Sequence, residues 1–129
     1  MSWNTPSDLK YMRSDEYVKL EGDTATIGIS DYAQDQLNDI VFIDLPDVGA
    51  EFAKGKSFGT VESVKAASDL VMPVGGKVIA VNEKLKDQPE LINASPYGDG
   101  WIIKIQVSNA AEASDLMDAK AYEAYCASR

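Results

Sequence analysis

The sequence contains no histidine and a single cysteine, Cys126. Without histidine there is no Ser-His-Asp triad, no Cys-His dyad and no imidazole metal site. One cysteine forms neither an internal disulfide nor a CxxC redox pair. Basic residues are scarce as well. There are 12 of them against 21 acidic ones, a formal charge of −9. That surplus argues against nucleic acid and anionic membrane surfaces as partners, because their phosphates repel it. No apolar run approaches the roughly 20 residues that a membrane-spanning helix needs. The beginning, Met1-Ser2-Trp3-Asn4-Thr5-Pro6, carries no basic n-region, no apolar h-region and no Arg-rich transit pattern. Met1 thus points to an untrimmed start, and the expected compartment is a reducing cytoplasm, or the mitochondrion for a mature organellar form.

What is present describes an ordinary globular chain. Its 129 residues are 45% apolar and 26% charged, which predicts one domain with a real core. The first dozen residues read as a polar lead, with residues 1–8 forming an N-terminal segment before the body of the domain. Glu16–Glu21 and Thr24–Ile29 alternate as strands, and Gly22-Asp23 between them supplies a tight turn. Ser30 is placed to cap a short helix, Asp31 to Leu37, with Ala33 and Leu37 on one side. Ile40–Ile43 is an apolar strand stopped by Pro46 and Gly49. Ser57–Glu62, Leu70–Met72, Lys77–Val81 and Trp101–Val107 read as further strands, the last with Trp101, Ile103, Ile105 and Val107 on one face. The stretch with Pro89 and Pro96 reads as a polar connection. From residue 110 to 129 the period becomes helical, with Ala113, Leu116, Met117, Ala121, Ala124 and Tyr125 as a packing stripe that Asp118 breaks by capping a second helix. Short strands separated by Gly and Pro turns predict a mainly β barrel or sandwich with short helices.

Little in the chain makes an active site of its own. No serine sits in a GxSxG elbow. Gly75-Gly76-Lys77 lacks the rest of a phosphate loop and reads as a turn. Asp44, Asp47 and Glu51 are too irregular for a calcium loop. The remaining candidate is Lys65, in Glu62-Ser63-Val64-Lys65-Ala66-Ala67-Ser68-Asp69. A lysine between two strands projects its amine clear of the body, and its small neighbours Ser63, Ala66 and Ala67 leave room for another protein's active site. An amine there can be acylated by an activated carboxylate and so carry a cofactor on a swinging arm. Spacing alone leaves the plainer alternative open, a solubilising charge in a loop.

The segment around Lys65 resembles the lipoyl-attachment segment of the glycine cleavage H-protein family. The resemblance continues in Thr26-Ile27-Gly28-Ile29 with Asp31, Ala33, Gln34 and Leu37, and in Val41-Phe42-Ile43-Asp44-Leu45-Pro46 with Val48-Gly49. It runs on through Pro73-Val74-Gly75-Gly76-Lys77-Val78 to Val81-Asn82, then Glu90-Leu91-Ile92-Asn93, Pro96-Tyr97-Gly98, Gly100-Trp101, and Asp118-Ala119 to Ala121-Tyr122. It spans about Leu9 to Cys126 in the family's order.

The resemblance implies a barrel-sandwich hybrid, lipoyl-domain-like, with Lys65 at a hairpin tip carrying lipoic acid in amide linkage. Residues 1–129 then form a single lipoyl-carrier domain. Biotin carrier domains share the fold but flank their lysine with methionines; Val64 and Ala66 favour lipoyl. Ser14, Glu16 and Asp69 are implied as contacts of the arm, and Glu62 as a recognition point for the lipoate-attaching enzyme. The resemblance implies no catalytic residue and no metal, and a carrier in place of an enzyme, expected as a monomer. Its implied partners are a pyridoxal-phosphate-dependent glycine decarboxylase, a tetrahydrofolate-dependent aminomethyltransferase and an FAD-dependent dihydrolipoyl dehydrogenase. The arm would take the aminomethyl group from the first, give it up at the second and be reoxidised at the third. The acidic surplus would steer the carrier toward basic partner surfaces. The family usually has His-Glu-Trp where this chain has Asp15-Glu16-Tyr17, and often histidine at the positions of Tyr32 and Gln36, so no imidazole role carries over. Two other readings remain: a related lipoyl relay that donates lipoyl to 2-oxoacid dehydrogenases, and an unmodified β-sandwich interaction module.

Overall fold

The computed structural model describes residues 3–129. Met1 and Ser2, and with them the first two positions of the N-terminal segment and the expected start, lie outside the described residues. The strands are β1 (Lys10–Tyr11), β2 (Glu16–Glu21), β3 (Thr24–Ile29), β4 (Ile40–Asp44), β5 (Glu51–Phe52), β6 (Ser57–Ser63), β7 (Ala67–Val71), β8 (Gly76–Val81) and β9 (Ile103–Val107). They form a six-stranded sheet, ordered β1-β2-β3-β9-β8-β5, and a three-stranded sheet, ordered β4-β6-β7. Every pairing is antiparallel, as the short strands and tight turns require. The β2–β3 hairpin turns where its sequence places the turn, with Gly22 at φ +67 and Glu21 opposite Thr24.

Alternation along the strands puts one face of each sheet into a shared core. Val18 and Ile27 of the larger sheet meet Ile43, Val61 and Leu70 of the smaller one, all nearly inaccessible to water. Burying a side chain of this size contributes roughly 1.5–3 kcal/mol, so the two sheets are held chiefly by apolar contact. Within the smaller sheet, Gly59 sets how closely β4 and β6 can approach: a Cβ there would lie 2.2 Å from the Asp44 carbonyl oxygen, closer than any side chain allows.

Among the described residues there are also four α-helices, α1 (Asp31–Leu37), α2 (Lys84–Asp87), α3 (Leu91–Ala94) and α4 (Ala119–Ala127), with a 3-10 helix, Ala110–Asp115, before the last. Ser30 caps α1 by accepting from the Ala33 N–H, and Asp118 caps α4 by accepting from the Ala121 N–H, the expected N-cap geometry. The polar connection is more structured than its composition predicts. Leu85 in α2 and Ile92 in α3 are fully buried, and the Asn82 amide donates to the Asp99 and Trp101 carbonyls at 2.7 Å.

Three expectations need correction. The polar lead holds a strand, β1, because Leu9 and Tyr11 are apolar enough to be buried. Trp101 precedes β9 instead of starting it. The inward side of α4 is Tyr122 and Cys126, one turn apart, while Ala121 and Ala124 face water; small alanines fit either side, and the aromatic decides which is buried. Tyr122 stacks on Tyr11 with ring centroids 4.5 Å apart, within a second apolar cluster that also holds Leu9, Tyr17, Tyr32 and Cys126. This cluster fixes α4 beside α1 and β2.

Replacing Gly59 by alanine should separate β4 from β6 and cost on the order of 3 kcal/mol, read as a lower urea midpoint with an unchanged slope. A Gly59→Ala chain as stable as wild type would contradict the close approach.

Candidate functional site

Lys65 lies in the turn joining β6 to β7, and one serine shapes that turn. The Ser63 hydroxyl accepts from the Lys65 and Ala66 N–H groups at 3.1 and 3.0 Å and donates to the Ala66 carbonyl. The Ser63 N–H closes the turn on the same carbonyl at 2.8 Å. The Val64 N–H donates to the Asp39 carbonyl at 3.0 Å, tying the tip to the α1–β4 connection. The backbone is therefore fixed while residues 64 to 69 stay exposed. The Lys65 Nζ donates to the Gln36 carbonyl at 3.2 Å, at the end of α1.

Gln36 is also part of the wall of a cavity of about 240 Å3. Ile29, Ala33, Leu37, Val61 and Leu70 give it an apolar side. Ser14, Asp15, Glu16, Asp69 and Arg129 give it a polar one. The three residues implied as arm contacts, Ser14, Glu16 and Asp69, are thus brought together, with the lysine amine at the rim. Glu62 is not among them: it is exposed on β6, opposite Phe42 on β4 and Ala67 on β7.

Glu16 is the most constrained of these groups. It is 1% exposed, yet both carboxylate oxygens are used: one accepts from the Val71 N–H at 2.9 Å, the other from the Ser14 hydroxyl at 2.5 Å. Burial penalises its charge and pushes its pKa up to about 7; the two hydrogen bonds pull the other way, and nearby Asp15 adds to the rise. Asp69 is exposed at the mouth, opposite Thr60.

Arg129 belongs to the site without any sequence signal that could have placed it there, whereas Asp15 was marked only by standing where the resembled family has histidine, beside Glu16. Asp15 holds φ +82, a conformation costing about 1–3 kcal/mol for a residue with a side chain. Its carboxylate accepts from both Arg129 nitrogens, at 2.5 and 3.1 Å, and from the Tyr122 hydroxyl at 2.8 Å. The guanidinium also lies over the rings of Tyr32 and Tyr125, 4.4 and 4.6 Å from their centroids, a favourable cation–π arrangement. At two of the positions where the resembled family holds imidazole, this chain therefore places an acid and a tyrosine that share one arginine. Such a set can hold a charged or polar arm end. It offers no nucleophile–base pair, and among the described residues no cluster of acids and cysteine is arranged to hold a metal ion.

The raised Glu16 pKa has a definite sign. The folded chain binds this proton more tightly than the unfolded chain, whose value is 4.5. The stabilisation is complete below that value and is lost as pH rises through about 7. At 1.36 kcal/mol per unit, the loss is about 3 kcal/mol. Glu16→Gln should therefore flatten the fall in stability between about pH 5 and pH 8. Parallel stability–pH curves for the two chains would contradict it.

The comparisons with known proteins agree in what they match. A sequence model of the family described as "Glycine cleavage H-protein" matches residues 9–129. The glycine cleavage system H protein of Symbiobacterium thermophilum is 52% identical over 122 residues, covering 95% of each chain. The mitochondrial glycine cleavage system H protein 2 of Arabidopsis thaliana is 56% identical over 119 residues, 92% of this chain and 76% of that one. The crystal structure of a glycine cleavage system H protein from Mycobacterium marinum superposes with a TM-score of 0.84 at 33% identity, over 95% of this chain and 97% of that one. The mainly β sandwich with short helices is accordingly a shared fold, and the chain belongs to the glycine cleavage H-protein family, a family of non-catalytic lipoyl carriers.

Proposed function

We propose that Lys65 is the lipoyl-attachment residue and that the cavity beside it shelters the end of the arm. The observation that carries this reading is the position of the Lys65 amine: on a turn stapled by Ser63, yet resting on Gln36 at the cavity rim. A carrier needs both properties, an attachment point open to the enzyme that loads it and a refuge for the arm between visits. Lipoic acid in amide linkage to Lys65 would supply a dithiolane whose S–S bond opens, one sulfur taking the aminomethyl group and the other becoming a thiol, as carbon dioxide leaves glycine. The cavity's two sides suit such a group. Leu37, Val61 and Leu70 line it on the side that would meet the apolar chain and ring, while Ser14, Glu16 and Asp69 line the side toward a polar end.

Within the cavity we assign Asp69 the direct contact with a cationic group, because its carboxylate is exposed at the mouth, and Glu16 and Ser14 the shape of the wall. A carboxylate pairs more strongly with an ammonium in a partly desolvated cleft than in water. Tethering adds effective concentration in place of diffusion. We place residues 1–129 in one lipoyl-carrier domain, acting as a monomer. It would serve the decarboxylase with pyridoxal phosphate, the aminomethyltransferase with tetrahydrofolate and the flavin dehydrogenase in turn, after a lipoate-attaching enzyme has acted. The compartment we assign is the cytoplasm, or the mitochondrion for an organellar form. Among the described residues no helix is long and apolar enough to cross a membrane.

Intact mass spectrometry of protein from a lipoate-fed host tests the attachment. Wild type should gain one lipoyl mass and Lys65→Arg none; a gain that survives Lys65→Arg would refute the assignment. A second experiment tests the shelter. Lipoylated chains are charged with glycine and the decarboxylase, then freed of enzyme. Asp69→Asn and Glu16→Ala should release ammonia several-fold faster than wild type, and equal rates would remove the cavity from the account.

A further inference from the structure

β4 breaks the alternation expected of a half-buried strand. Ile40 and Ile43 are inside, but Val41 and Phe42 between them are both exposed, by 53% and 52%. The cause is a register shift between Ile40 and Phe42 in the β4–β6 pairing. Such a bulge inserts a residue and re-aims the side chains around it. Phe42 lies opposite Glu62, which lies opposite Ala67, so these three form a row across the smaller sheet. The next pair on β4 and β6 is Ile40 opposite Ser63, the residue that shapes the lysine turn. Val64, in the turn itself, is 68% exposed. Of the six large hydrophobics exposed among the described residues, three are therefore gathered at the lysine end of this sheet.

The charges around them are of one sign. β4, β6 and β7 carry Asp44, Glu62 and Asp69 and no lysine or arginine, and Asp39 supports the tip. The one cation of the hairpin is Lys65. An exposed aromatic beside small apolar residues, inside an acidic rim, has the anatomy of an interface anchor, and the rim calls for a basic partner surface.

The geometry also selects among partners. Enzymes that act on the end of a lengthened arm reach it at a distance from the turn. The enzyme that attaches the arm meets a bare lysine and has to cover the turn and the strands flanking it. We propose that Phe42, with Val41 and Val64, is the docking anchor for the enzyme that acylates Lys65, and that Asp39, Asp44 and Glu62 pair with basic residues around that enzyme's apolar pocket. The inference rests on Lys65 being the attachment residue.

The test uses the full unlipoylated chain with lipoate, ATP and a lipoate–protein ligase, following initial rates of mass gain against carrier concentration. Phe42→Ser should raise the KM for the carrier by on the order of tenfold while the rate at saturation is kept. Glu62→Gln should raise it less and weaken its salt dependence. Phe42→Leu should restore most of the affinity. Ile79→Ser, which removes an exposed residue of the larger sheet, should change nothing. Phe42 is exposed, so thermal melting of Phe42→Ser should match wild type. A wild-type KM for Phe42→Ser overturns the proposal. So does normal acylation of Phe42→Ser combined with lost exchange at the glycine decarboxylase, which would give the face to that enzyme. Self-association of wild type that Phe42→Ser abolishes, with acylation unaltered, would give it to a second copy of the chain and equally overturn the proposal. Failure of wild type to gain mass at Lys65 defeats the attachment reading, and this one with it; mass gain at Lys65 in wild type together with an unchanged KM for Phe42→Ser defeats this one alone.

Discussion

A single buried carboxylate joins the two sheets at the place where the site is built. Glu16 begins β2 in the larger sheet, and its side chain accepts from the Val71 N–H at the end of β7 in the smaller one. Burying this group is costly, and the cost is visible in a pKa pushed up to about 7. The return is geometric. The bond holds the far end of the lysine hairpin against β2 and sets the spacing across which Ser14 and Asp69 face each other over the cavity. Apolar contact between the sheets fixes that they pack; this contact fixes where.

Stability and exposure are divided along the same hairpin. Val61 and Leu70 anchor its base in the core, while residues 64 to 69 are exposed. Ser63 keeps that exposed end from becoming a loose loop, since it satisfies three backbone groups of the turn. On the opposite wall, the tyrosine cluster of Tyr11, Tyr32 and Tyr122 fixes α4, and α4 delivers Arg129 to Asp15. Neither wall depends on the chemistry carried out by partners. That suits a component whose contribution is to hold and present a group while bond-making belongs to other proteins.

Much of this was legible in the sequence where local rules dominate. Gly22-Asp23 marks its hairpin, Ser30 and Asp118 mark their helices, and the alternation of Glu16–Glu21 and Thr24–Ile29 marks the central pair, because in each case one turn or cap decides the backbone. Lys65 stood out by its small neighbours and by resemblance. Other features were hidden because they arise only when distant segments meet. Leu85 and Ile92 look like isolated apolar residues in a polar stretch until the core receives them. Arg129 lies 114 residues from Asp15 in sequence, and no pattern links the two. The bulge that exposes Phe42 is invisible in Ile40–Ile43, which reads as an unbroken apolar strand. The absence of histidine first removed whole classes of enzyme; in the structure, Asp15 and Tyr32 stand where the resembled family has imidazole and share Arg129.

The central claim is that Lys65 bears the group through which this chain serves glycine cleavage. Exchange of labelled bicarbonate into glycine tests it most directly, with glycine decarboxylase present and the lipoylated chain as the only carrier. The account predicts exchange that rises with lipoylated wild-type chain and is absent with Lys65→Arg. Equal exchange with Lys65→Arg, or none with a fully lipoylated wild-type chain, would contradict it.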